Sequence, residues 1–89
     1  MKRKEVYVLT LNDWCKEGKC MRVYDTFDEA RKVMKREVKS YLKKNPDWEV
    51  DYQTEDRARV HLITTFFDKN TKWEINRATM ETMKGDNKL

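Results

Sequence analysis

The sequence predicts an α+β fold, in which an antiparallel sheet of about five strands carries one helix on one face, in the order β-β-α-β-β-β. Apolar residues alternate with polar ones along most of the chain, which is typical of strands, and the spacing becomes helical only between residues 26 and 44. A turn signal at Glu17-Gly18 joins the first two strands directly. Strands joined by so short a turn are antiparallel.

The length of the chain allows one domain. Of the 89 residues, 38% are hydrophobic, which is enough for one modest core although 40% are charged. We expect a single α+β domain over residues 1–77 and a C-terminal tail over residues 78–89. The tail contains few apolar residues, so it is predicted to form a short helix, capped by Asn76 and ended at Gly85, or to be disordered.

The first two strands are predicted over residues 6–14 and 19–25, with Gly18 supplying the positive φ of the turn. In this register three residue pairs face each other: Cys15 and Cys20, Trp14 and Met21, and Asp13 and Arg22. We expect two free or partly buried thiols, because a disulfide here would close a very short loop and cytosolic thiols stay reduced. A zinc site would need four ligands, and His61 is the only histidine available to join the two cysteines.

The helix is predicted to begin at the sequence TFDE, where Thr26 accepts a hydrogen bond from the backbone amide of Glu29. Its apolar residues recur at helical spacing and share one face. They are Phe27, Ala30, Met34, Val38, Tyr41 and Leu42. Lys43-Lys44 suit the negative end of the helix dipole, and Asn45-Pro46 ends the helix.

Three further strands follow the helix. The third is predicted to be half-buried, with Trp48, Val50 and Tyr52 on one side and Glu49, Asp51 and Gln53 on the other. The fourth contains Ala58, Val60 and Leu62 and extends to Phe66 or Phe67, and the short fifth contains Trp73, Ile75 and Arg77. A single helix leaves part of the other face open, where Tyr7, Phe67 and Trp73 are expected to contact a partner or a second copy. Core packing is the alternative for each of them.

Positive charge is concentrated in the helix. Residues 26–44 contain seven basic and three acidic residues, a net charge equal to the +4 of the whole chain. Five of the cations occupy one sector of roughly 100° on a helical wheel. We call them the basic stripe: Lys32, Lys35, Arg36, Lys39 and Lys43. Such a stripe can follow a phosphate backbone or an acidic protein surface, and it is also typical of a solvated helix face.

Catalytic motifs are missing from the sequence, which has no G-x-S-x-G, P-loop, G-x-G-x-x-G or H-E-x-x-H. Residues 47–56 hold five carboxylates and no basic residue. Ion pairs with Arg57, Arg59 or Lys72 explain them more simply than acid-base catalysis or cation binding. We therefore expect a protein without enzyme activity, metal or cofactor.

Neither a membrane span nor a signal peptide is predicted. The apolar run at residues 6–11 is shorter than the roughly 7 to 15 residues of a signal peptide, and no stretch approaches the roughly 18 apolar residues of a span. The sequence thus predicts a cytoplasmic protein.

Four segments carry a resemblance: EVYVLTLNDW, MRVYDTFDEARKVMKREV, DWEVDY and KWEIN. In its V-Y-V strand, its Thr and F-x-x-A helix start and its short closing strands, the chain resembles small uncharacterised proteins of phages, prophages and mobile elements of gut bacteria. The resemblance implies an accessory protein that acts on host machinery, in the manner of inhibitors of CRISPR and other defence complexes. Such inhibitors usually bind stoichiometrically, and many mimic DNA with an acidic surface, which this basic chain does not share.

The expected function is therefore a stoichiometric inhibitor that binds a bacterial defence complex in the host cytoplasm, with a protein or ribonucleoprotein as partner. The alternative is a small basic nucleic-acid-binding module that uses the basic stripe. A homodimer is compatible with either function. No catalytic residue is implied.

Overall fold

A computed structural model of the protein describes residues 2–14, 19–64, 66 and 68–82. They form one helix and five strands, and the predicted α+β class and element order are confirmed. The strands pair antiparallel in the order β2-β1-β5-β4-β3. The elements are β1 Lys2–Asn12, β2 Cys20–Tyr24, α1 Phe27–Lys44, β3 Glu49–Gln53, β4 Arg57–Ile63 and β5 Asp68–Thr82.

The central pair of the sheet, β1 and β5, is longer than the sequence indicated. It runs without a register break from Lys2 opposite Thr82 to Asn12 opposite Lys72. The prediction of a short fifth strand was wrong, and residues 78–82 are strand instead of the helix or disorder expected after residue 77. The N-terminal half of β1 supplies their backbone partners, a long-range pairing that the low apolar content of the tail does not reveal. Gly85 lies outside the described residues.

The register between β1 and β2 differs from the predicted one by four residues. Arg22 lies opposite Leu9 instead of Asp13, Met21 lies opposite Thr10, and Cys20 lies opposite Leu11. The strand β1 ends early because the next two residues leave the sheet for hydrogen bonds with β5. The amide of Trp14 donates to Oγ1 of Thr71 at 3.3 Å, and that hydroxyl lies 3.3 Å from Oδ1 of Asp13. Cys20 is free and exposed, and Cys15, Glu17 and Gly18 lie outside the described residues.

Both predicted ends of the helix are confirmed. Thr26 is the N-cap, with extended backbone and its Oγ1 accepting from the Glu29 amide at 3.1 Å. At the other end, the backbone amide and the side-chain amide of Asn45 both donate to the carbonyl of Tyr41 at 2.9 Å. Pro46 follows and cannot continue the helix.

The core lies between α1 and one face of the sheet. From the helix, Ala30, Met34 and Val38 are buried against apolar residues of four strands and the loop before β3. Trp73 is 1% exposed at the centre of this core, and its ring lies 5.7 Å from that of Tyr41. Tyr7 packs edge-on against Phe27 at 5.9 Å. The prediction that Trp73 and Tyr7 lie on the open face was therefore wrong, because odd-numbered positions of β1 and β5 face the helix.

The edge strand β3 is exposed along all five residues, so the prediction of a half-buried strand was wrong. A register shift between Val50 and Tyr52 breaks the alternation. Val50 pairs with buried Val60, whereas Tyr52 pairs with Arg59 and lies towards the open face. The strand β4 ends at Ile63, before the end that the sequence indicated. Phe67 lies outside the described residues.

Two ion pairs fix the rotation of α1 about its axis. On the flank towards β2, the Glu37 carboxylate binds the guanidinium of Arg22 at 2.7 Å and accepts from Nε1 of Trp73 at 3.2 Å. We call this contact the Glu37 bridge. Its hydrogen bond raises the pKa of the Arg22 guanidinium. On the other flank, Arg31 lies 3.6 Å from Glu55 in the turn between β3 and β4.

Replacing Glu37 by glutamine should lower the free energy of unfolding by about 1 to 2 kcal/mol, because Arg22 loses a half-buried charged partner. Urea unfolding of Glu37→Gln measures this. Glu74→Gln, which neutralises an exposed carboxylate of β5, is the matched control and should shift stability by less than about 0.5 kcal/mol. Equal stabilities of the two variants would show that the Glu37 bridge does not hold the helix.

Candidate functional site

The basic stripe occupies the outer face of α1. Its members, Lys32, Lys35, Arg36, Lys39 and Lys43, are all exposed. They lie there because Ala30, Met34 and Val38 face the sheet, and the Glu37 bridge prevents the helix from turning. The structure thus brings together all five residues that the sequence singled out on the helix.

The charges of the basic stripe are not neutralised within the described residues, where none of the five forms an ion pair or a hydrogen bond. Of the carboxylates of α1, Glu37 faces β2, whereas Asp28 in the first turn lies on the same side of the helix as the basic stripe, one turn before Lys32. Other cations of the described chain do have carboxylate partners. These are Lys4 with Asp25, Arg22 with Glu37, Arg31 with Glu55, Arg59 with Asp51, and Arg77 with Glu5. The stripe therefore presents a positive potential to an approaching partner.

A groove runs along the flank of the basic stripe that faces β3. It has a volume of about 540 Å³ and is open to solvent. We call it the α1–β3 groove, and its lining residues are Arg31, Lys35, Gln53, Thr54 and Glu55. Lys35 belongs to both the groove and the stripe, so the two surfaces are continuous.

The sheet face away from α1 is open, but its exposed apolar residues differ from the predicted ones. Met21 and Val23 of β2 are 66% and 56% exposed, and Met80 of β5 is 50% exposed. Met21 and Val23 were not singled out from the sequence, although the register error of four residues leaves each side chain on the same face of the sheet. Their alternation with Arg22, which faces the helix, is the signal that could have placed them.

Two of the five carboxylates of residues 47–56 form ion pairs with neighbouring cations. Asp51 lies 3.3 Å from Arg59, which confirms the predicted cross-strand pairing, and Glu55 pairs with Arg31. Glu49 lies opposite His61 on the open face. Among the residues that the structure describes, no group of three or more histidine, cysteine or acidic side chains is arranged to hold a metal ion.

The helix α1, the only one formed by the described residues, is too polar to cross a bilayer.

Searches against protein-family models, curated proteins and solved structures give no match for this chain. Functional inference therefore starts from the residues of this chain and from their arrangement.

Replacing Lys39 by glutamine should raise the free energy of unfolding by about 0.5 kcal/mol at low salt, because Lys35 and Lys43 each lie four residues away and repel it. Salt of about 1 M should remove the gain, since it screens charges over a few ångströms. Urea unfolding of Lys39→Gln at both salt concentrations measures this. Ser40→Gln, at the next exposed position, should show no salt dependence. A Lys39→Gln variant that is destabilised at low salt would show that the lysine contributes to folding.

Proposed function

We propose that the protein is a non-catalytic accessory protein of a phage or mobile element, which inhibits a bacterial defence complex by binding it stoichiometrically through the basic stripe. The observation that carries the proposal is the row of five exposed cations on one helix face, none of them neutralised within the described residues. The sequence resemblance supplies the phage context.

The position of the stripe suits a docking surface. The core and the Glu37 bridge hold the helix, so its cations are presented at fixed positions. Little backbone entropy is therefore lost on binding. Opposite charges steer the encounter of two macromolecules and orient them before contact. Residues 32 to 43 span about 17 Å along the helix axis, at about 1.5 Å per residue.

A partner of standard interface size covers about 800 Å² of each protein, which is more than one row of side chains provides. The α1–β3 groove is the adjoining surface, because Lys35 lines it. We therefore place the contact on the outer face of α1 and on its flank towards β3.

A nucleic-acid-binding module is the second candidate, and the same row of cations favours it. The aromatic residues of α1, Phe27 and Tyr41, pack against the core, so the basic stripe offers charge without a ring on which a base could stack. Binding to nucleic acid would then depend on phosphate contacts and would weaken steeply with salt.

Affinity capture tests the proposal. Tagged protein is incubated with bacterial lysate, with and without nuclease, and the captured material is identified. We expect a protein partner in a fixed ratio that survives nuclease, since the contact is with protein. Material lost on nuclease treatment would instead assign the function to nucleic-acid binding.

Charge reversal locates the contact. The triple variant Lys35→Glu, Arg36→Glu, Lys39→Glu should lose the captured partner, because three cations of the stripe become repulsive. The matched control reverses Lys19, Arg57 and Lys72, which are exposed outside α1, and should keep it. Circular dichroism establishes that both variants are folded. Capture that is equal for both would contradict docking through the stripe.

A further inference from the structure

The outer edge of β3 is a second surface that the fold leaves open. Because β3 is the last strand of the sheet, no strand formed by the described residues pairs with this edge. All five residues of β3 are exposed, and the α1–β3 groove lies beside its C-terminal end. An edge of this kind presents backbone N–H and C=O groups that can pair with an added strand.

The two sides of this edge differ in net charge, although each side holds an ion pair: Arg31 with Glu55 towards the helix, and Asp51 with Arg59 on the open side. On the side towards the helix, Arg31 and Lys35 line the groove, and Lys39 follows Lys35 by about one helical turn. On the side of the open face, Glu49 lies opposite His61, and the Asp51 carboxylate binds Arg59. Lys35 on the helix side and Glu49 on the open side form no ion pair within the described residues, so an added strand meets a positive excess on one face and a negative excess on the other.

We propose that the edge of β3 binds an extended segment of a partner protein as a sixth strand, with acidic side chains facing α1 and basic or neutral side chains facing the open side. Successive residues of a strand point to opposite faces, so such a segment alternates acidic and non-acidic residues. Val50, which is 44% exposed on the helix side, adds an apolar contact at the middle of the strand.

A second copy of this chain fits the edge poorly. Two β3 strands paired about a twofold axis would form one continuous sheet. The helix-side residues of one copy would then lie beside the helix-side residues of the other. With the axis at Val50, Glu49 of each copy would lie opposite Asp51 of the other, which brings like charges together. The other edge strand, β2 Cys20–Tyr24, contains no carboxylate that could face the cations of α1. The occupant is therefore a different protein.

The segment is short. Five strand residues span about 17 Å, and the register shift between Val50 and Tyr52 twists the edge, which limits regular pairing to a few residues. This inference rests on the proposed function, because it names the part of the protein partner that reaches beyond the basic stripe. Lys35 contributes to both contacts.

The experiment uses a synthetic peptide of about nine residues that alternates glutamate and threonine, a length that covers the edge. It is added to isotope-labelled protein, and amide chemical shifts are followed by NMR. We expect saturable shifts in the amides of residues 49–53 and of Lys35. A peptide of about nine lysines should give none, because it places lysines against Arg31 and Lys35 in either register.

Two matched changes separate strand addition from attraction of charge alone. Methylation of alternate backbone nitrogens in the glutamate peptide keeps its charge and removes the donors, and should weaken binding at least about tenfold. In the protein, Lys35→Glu should weaken binding by about tenfold, whereas Arg36→Glu, the same charge change at a neighbouring exposed position outside the groove lining, should have a much smaller effect.

Three results would overturn the inference: no shifts in residues 49–53, equal binding of the methylated peptide, or displacement of the peptide from β3 by an oligothymidylate that binds there more tightly.

The result of this experiment does not depend on the result of the test of the proposed function. A protein that captures its partner through the stripe but ignores the peptide overturns the strand addition alone. A protein that binds the peptide while the triple variant still captures the partner overturns the docking through the stripe alone.

Discussion

The carboxylate of Glu37 contacts two strands of the sheet, because it binds Arg22 of β2 at 2.7 Å and accepts from the indole of Trp73 in β5 at 3.2 Å. Apolar packing alone tolerates some rotation of a helix over a sheet, whereas hydrogen bonds to a charged group depend on direction. With α1 held at this angle, Ala30 and Met34 face the core. The residues on the opposite side of the helix must then face solvent, and these are the cations of the basic stripe.

The long β1–β5 pair gives the helix its platform. Trp73 lies at its centre, with the ring of Tyr41 at 5.7 Å and the Glu37 bridge on its nitrogen. The hydroxyl of Tyr41 also lies 3.0 Å from that of Thr71, which is fully buried and bonded to the segment after β1. The polar groups that contact the rings of Trp73 and Tyr41 are thus paired, whereas Nε of Arg22 and Nε of Arg59 are buried without a hydrogen-bond partner.

Features set by neighbouring residues were predictable. The N-cap at Thr26, the end of the helix at Asn45 and the exposure of the basic stripe all follow from nearby residues of the sequence, and the structure bears them out. Features set by distant residues were not. The predicted partner of Arg22 was Asp13 on the adjacent strand, but its partner is Glu37 on the helix.

Dependence on residues that are distant in sequence also explains the other wrong predictions. Trp73 is buried because the even and odd positions of β5 are assigned by pairing with β1, at about sixty residues' distance in sequence. Tyr52 lies towards the open face because a register shift interrupts β3, and no residue type marks it in the sequence. The α1–β3 groove was also missed, since Lys35 and Gln53 come together only when the helix lies on the sheet.

The electrostatic consequence of this packing is a separation of charge between surfaces. Several cations of the sheet have carboxylate partners, for example Arg59 with Asp51 and Arg77 with Glu5, whereas Arg57 and Lys72 form no ion pair within the described residues. The outer face of α1 repeats like charges at intervals of three and four residues, an arrangement that weakens the helix slightly.

Lysine acylation of the captured complex, read by mass spectrometry against the free protein, tests docking through the basic stripe most directly. We expect Lys32, Lys35, Lys39 and Lys43 to lose reactivity in the complex, while Lys72, on the opposite face of the sheet, keeps it. Protection of Lys72 with unchanged reactivity along α1 would place the partner on the open face and contradict the proposed function.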